Sequence, residues 1–132
     1  MRYLVTSDQS SAPRPLSRPD IELAHAIVDL LADRQVEDIV LLDLTPLGAF
    51  ADYFVIGTVG NIRQARAVVD AVQEAVHRRS DQRARPEGTP ESGWVLLDAG
   101  NGVVVHLFSP EGRTRYDLEG LWSRAQEVVR VQ

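Results

Sequence analysis

Apolar residues recur along this chain with two different periods, and the alternation between them outlines a fold. From Pro19, whose fixed φ suits a first helical turn, Ile21, Ala24, Ile27, Val28 and Leu31 follow helical spacing to about Arg34. Asp20 and Glu22 stand at the positive end of that helix. Residues 38–44 (Asp-Ile-Val-Leu-Leu-Asp-Leu) form a nearly continuous apolar run of strand length, as a strand covered on both faces requires. Pro46 and Gly48 end it. Tyr53-Phe54-Val55-Ile56-Gly57-Thr58 reads as a second strand, rich in aromatic and β-branched residues. Asn61 is a good N-cap for a long helix that carries Ile62, Ala65, Val68, Val69, Val72 and Val76 on one stripe and ends near Arg79. Residues 80–93, with Pro86, Gly88, Pro90 and Gly93, read as a polar loop. Segments 94–98 and 103–108 then predict a hairpin turning across Gly100-Asn101-Gly102. Leu118, Leu121, Ala125 and Val128 predict a C-terminal helix.

Residues 1–18 are rich in Ser and Pro and show no sustained period, so they read as a disordered or loosely attached tail ahead of a domain at 19–132. The predicted order is α-β-β-α-β-β-α. The expected class is therefore α/β (α+β): a single domain with a mixed β-sheet flanked by helices.

Composition narrows the function classes. The chain has 132 residues, 14 basic against 19 acidic, and a net charge of −5. Every basic residue is Arg, which reads as a composition bias and not a device of the protein. Net acidity argues against a surface that neutralises many phosphates. The short cluster Arg78, Arg79, Arg83 and Arg85 is the exception, and it suits a helix C-terminus by complementing the macrodipole. With no Cys there is no disulfide framework, zinc ribbon or thiol nucleophile. No apolar run is long enough to span a bilayer, and the first residues lack the apolar core of a signal peptide. A cytoplasmic protein without a membrane partner is expected.

The usual catalytic templates are missing. His25, His77 and His106 fall in three different predicted elements, and none has the spacing of a helical metal site. A P-loop is impossible without Lys, and neither a dinucleotide-binding Gly pattern nor a Gly-x-Ser-x-Gly elbow is present. Two-metal phosphoryl transfer wants paired carboxylates on one strand face. Asp43 is followed two positions on by Thr45, while Asp52 and Asp98 lack such partners, so each reads as a strand-end turn residue. No catalytic residue, metal or cofactor is expected. What remains suits binding: Trp94 at a strand start, and Tyr116-Asp117-Leu118-Glu119-Gly120-Leu121-Trp122 at a helix start, combine apolar area with polar handles. Leu118 and Trp122 read more simply as core, and His106 as a partly buried strand residue.

Five segments in order carry a resemblance: residues 51–56 (Ala-Asp-Tyr-Phe-Val-Ile), Arg63-Gln64, Glu87-Gly88, residues 93–100 with 103–108, and residues 116–122. Together they resemble the ribosomal silencing factor family, also called RsfS or Iojap, from about residue 20 to 125. The resemblance implies a nucleotidyltransferase-like fold without the catalytic acids, and a non-enzymatic translational repressor. Such a factor binds the large ribosomal subunit through its ribosomal protein number fourteen, blocks association with the small subunit, and slows translation under nutrient limitation. Little direct nucleic-acid contact is implied. Partner contacts carry over to Trp94, Tyr116 and Asp117, with His106 and Leu118 as weaker neighbours. Family members are often dimers when free, which leaves a homodimer open here.

Two positions depart from the family pattern. Val59-Gly60-Asn61 stands where the family usually has Gly-Thr-Ser, and Gly100-Asn101-Gly102 makes a turn one residue longer than usual. Two other function classes remain as alternatives: an active metal-dependent nucleotidyltransferase, against which the missing second acid after Asp43 counts, and a small-molecule-sensing domain.

Overall fold

A computed structural model describes residues 19–80 and 83–132. The predicted tail at 1–18 lies outside the described residues. Helix α1 spans Ile21–Asp33, and its N-cap is Asp20, whose carboxylate accepts from the Leu23 amide at 3.0 Å. Strands β1 (Glu37–Asp43) and β2 (Tyr53–Thr58) follow and pair antiparallel. Helix α2 (Ile62–Ser80) carries the chain to β3 (Arg85–Thr89), β4 (Trp94–Gly100) and β5 (Val103–Phe108). Short helices α3 (Pro110–Tyr116) and α4 (Leu118–Leu121) then precede the final strand β6 (Gln126–Val131). The six strands lie in the order β3-β4-β5-β2-β1-β6. Among the described residues only β2 and β5 pair in parallel, so the sheet is mixed, as expected.

Strand alternation divides the core in two. One set of positions, including Ile39, Leu41, Val55, Leu97, Val105 and Leu107, is covered by α1 (Leu23, Ile27, Val28, Leu31) and α2 (Ala65, Val68, Val72, Val76). The opposite set, Val40, Leu42, Phe54, Ile56, Val104 and Phe108, packs with Leu44, Ala51 and Leu118. Both faces of β1, β2 and β5 are thus apolar and dry, which is why those segments read as unbroken hydrophobic runs. The second face has far less above it than the first: two short helices against two long ones.

Local chemistry holds these layers. Asn61 caps α2 by accepting from the Gln64 amide at 2.7 Å, while the Gln64 side chain accepts from Gly60 N at 2.7 Å. The same Gln64 amide group donates to the carbonyls of Arg34 and Gln35, so one side chain joins the start of α2 to the end of α1. The altered 59–61 segment therefore still builds a capped helix start. The turn between β4 and β5 has positive φ at Gly100, Asn101 and Gly102. Its Gly102 carbonyl accepts from Asp52 N (2.8 Å) and Tyr53 N (3.1 Å), and the Asp52 carboxyl lies where a side chain at 102 would go. Asp43 and Asp98 close turns at strand ends as expected, accepting from Thr45 N and Gly100 N at 2.9 Å each.

Two predicted elements differ. The polar loop at 80–93 contains β3, whose five residues are all exposed. Strand β3 joins the sheet by backbone pairing with β4 and buries no apolar side chain, so no hydrophobic pattern marks it. The predicted C-terminal helix at 118–128 is only the single turn α4, and the chain then enters β6. Val128, Val129 and Val131 are β-branched and favour a strand. Val129 and Val131 pack on the α1/α2 side of the sheet, whereas Val128 sits at a register shift and stays exposed.

Candidate protein-docking face

The chain reaches the sparsely covered sheet face through a tight corner after β5. Ser109 N donates to the Gly93 carbonyl at 3.1 Å, and the Ser109 hydroxyl accepts from Gly112 N at 3.0 Å as the N-cap of α3. Gly112 lies so close to Gly93 that an added Cβ would run into the Gly93 carbonyl oxygen. Helix α3 is thereby pinned beside the start of β4, next to Trp94. It ends at Tyr116 because Asp117 turns left-handed (φ 44°, ψ 53°). The Asp117 carboxylate then accepts from Gly120 N at 3.2 Å and starts α4.

These turns assemble a row of rings. The Tyr116 and Trp94 centroids are 4.8 Å apart, and Phe108 stands 5.2 Å from Trp94. Trp94 Nε1 donates to His106 Nδ1 at 3.1 Å. His106 lies 4.4 Å from Phe54, which meets Trp122 edge-on at 5.7 Å. Phe50 closes the row, 5.8 Å from Phe54 and 6.4 Å from Trp122. The ends face solvent: Tyr116 is 40% exposed, Phe50 78% and Leu121, beside Trp122 in the chain, 75%. Trp94 and Trp122 are half-buried between them. Large apolar side chains left this open and this close together mark an interaction surface.

Charges brace the face from behind. Arg113 on α3 donates to Glu119 Oε1 at 2.7 Å and to the Thr58 hydroxyl at 2.8 Å, with Asp38 at 3.6 Å. Arg130 on β6 pairs with Asp38, Glu119 and Glu127. The Arg113 hydrogen bond is the main influence holding the Glu119 carboxyl below its usual range, against the opposing effect of burial. This network ties α3 and α4 to β1, β2 and β6, so the rings sit on a fixed support.

The residue pattern and the family comparison agree here. The family described as "Ribosomal silencing factor during starvation" matches residues 17–132. The chain belongs to the ribosomal silencing factor family. It is 35% identical over 105 residues to the ribosomal silencing factor RsfS of Bacillus subtilis, covering 80% of this chain and 86% of that one. It is 34% identical over 100 residues to the Mus musculus "Mitochondrial assembly of ribosomal large subunit protein 1", covering 74% of this chain and 43% of that one. A crystal structure from Chromobacterium violaceum superposes with a TM-score of 0.71 at 31% identity, covering 83% of this chain and 92% of that one.

Within this silencing factor, the structure brings Trp94, Tyr116 and Asp117 together on one accessible surface. It places His106 and Leu118 beneath that surface, 2% and 7% exposed, where they support it and present no area of their own. Burial pushes the His106 pKa down from 6.5 to about 4. Phe50 and Leu121 were not legible as surface anchors. Phe50 lies in an aperiodic loop, and the pattern placed Leu121 on a helix stripe. The one available signal was an aromatic beside the Pro46/Gly48 breakers. Among the described residues, no group of three or more His, Asp or Glu could hold a metal ion, and no helix is long and apolar enough to cross a membrane.

Proposed function

We propose that this silencing factor represses translation by docking its ring-lined face on ribosomal protein number fourteen of the large subunit. The bound domain would stand where the small subunit approaches, blocking association without turning anything over. The observation that carries this reading is the row from Tyr116 through Trp94 to Phe50, whose ends are open to solvent beside the exposed Asp117 carboxylate. Aromatic anchors ringed by polar groups are what protein interfaces use. The net charge of −5 supports a protein contact over an RNA one. Ribosomal proteins are generally basic, so an acidic domain is steered toward them while surrounding phosphates repel misaligned encounters. The name of the mouse relative, which speaks of large-subunit assembly, points to the same particle. The setting proposed is the cytoplasm, with silencing under nutrient limitation.

The test is co-sedimentation with isolated large subunits, followed by a subunit-joining assay. Wild-type protein should sediment with large subunits and slow joining. Tyr116→Ala should weaken binding at least tenfold, as interface anchors do, with little change in Tm because the ring is 40% exposed. Undiminished joining at saturating protein would sink the proposal. Parallel losses of binding and Tm would make Tyr116 a core residue.

A further inference from the structure

We infer that His106 is a positioning residue that fixes the orientation of Trp94 through a single tautomer, so that Trp94 meets the partner with ring carbon and not with its N–H. This rests on the docking reading above. The register explains how the two meet. Trp94 stands opposite Phe108, and His106 stands opposite Leu96, so indole and imidazole are diagonal neighbours on one sheet face. Long aromatic side chains bridge that diagonal. The bond that results runs from Trp94 Nε1 to His106 Nδ1 at 3.1 Å. An indole nitrogen only donates, so Nδ1 must accept, and the imidazole proton must sit on Nε2.

The surroundings enforce that arrangement. His106 is buried between Phe54 and Phe108, and its Nε2 has no hydrogen-bond partner among the described residues. Neither ring nitrogen is therefore available to a docking protein, and the hydrogen bond from the His106 ring toward the surface runs to Trp94. Tyr116 and Phe108 pack against the indole with centroids 4.8 and 5.2 Å away, but ring contacts are weakly directional. The hydrogen bond adds the directional restraint that fixes which edge of the indole points inward. A ring held before docking loses less freedom on docking, and such preorganisation strengthens an interface without adding a contact. It also sets what can lie opposite: the indole N–H is spent inward, so a partner's hydrogen-bond acceptor gains nothing there, whereas a side chain that packs on a ring face does.

The tautomer can be read directly in the wild-type protein by the long-range proton–nitrogen couplings of the three imidazoles. His106 should show the Nε2–H pattern, and an Nδ1–H pattern would overturn the inference. Two variants then test the consequence. His106→Asn puts Oδ1 near the position of Nδ1 and keeps an acceptor, whereas His106→Leu fills the space without one. In the one-bond spectrum, the Trp94 Nε1–H resonance should stay slow to exchange in wild type and in His106→Asn. In His106→Leu it should move and exchange quickly, with Trp122 as the internal reference. Affinity for isolated large subunits should be retained in His106→Asn and fall about three- to tenfold in His106→Leu, the factor for immobilising one side chain on binding. If His106→Leu binds like wild type, or if both variants lose affinity in step with Tm, the positioning role is wrong. Failure of the wild type to bind large subunits would instead overturn the docking reading, and this inference with it.

Discussion

Acidification should remove stability from this fold through one buried side chain, and the size of the loss follows from His106. Burial lowers its pKa from 6.5 to about 4. Above pH 6.5 the imidazole is neutral in both folded and unfolded chains, and the full contribution is present. Between pH 6.5 and 4 the unfolded chain takes up a proton that the folded chain refuses, so stability declines as pH falls. Below about pH 4 both states are protonated and the loss levels off. A displacement from 6.5 to about 4 corresponds to about 3 kcal/mol. Glu119 also loses stabilisation on acidification, because its lowered pKa reflects the Arg113 hydrogen bond. The comparison that isolates His106 is urea unfolding of wild type and His106→Asn across pH 4–8, since other titrating groups are common to both. At neutral pH the variant should be less stable by about 1–2 kcal/mol, from lost ring packing and a buried amide NH2 that lacks an acceptor. That difference should shrink, and then reverse, by about 3 kcal/mol in total as the pH reaches 4. Stability curves that stay parallel would refute the assignment of a dry, neutral imidazole.

Three further outcomes follow from packing and bracing. Arg113→Gln should cost about 1.5–3 kcal/mol, because it removes the nearly buried guanidinium that bonds the part-exposed Glu119 carboxylate and the Thr58 hydroxyl; faster hydrogen exchange in β6 should accompany the loss, and a cost typical of surface pairs would deny the network its bracing role. Gly57→Ala should cost about 1–3 kcal/mol, since its Cβ would lie 2.5 Å from Val36 Cγ1. Adding Val36→Ala should recover part of that cost, and strict additivity in the double mutant would show that the clash is not the cause. Gln64→Ala removes the side chain that bonds Gly60 N and the carbonyls of Arg34 and Gln35. It should lower unfolding free energy by about 1–2 kcal/mol, measured by chemical denaturation.

Periodicity by itself determined α1, β1, β2, α2, β4 and β5, because in each the residues that must be dry recur at the spacing of the backbone that carries them. Asp20 and Asn61 announced their helix starts in the same local way. Tertiary structure decided the rest. Strand β3 buries no side chain and exists only because β4 offers an open edge of backbone donors and acceptors. The segment after Tyr116 fits a helical stripe on paper, but the left-handed turn at Asp117 and the free edge of β1 convert it into a single helical turn and a strand. The docking face divides in the same way. Sequence resemblance pointed to Trp94, Tyr116 and Asp117, and the pattern already read Leu118 as core and His106 as partly buried, whereas only packing could show that Phe50 joins the row and that Leu121 stays exposed. A hydrophobic residue's type tells that it prefers to leave water. Whether it succeeds depends on what the fold places above it, and on this sheet face two short helices leave some of those residues uncovered.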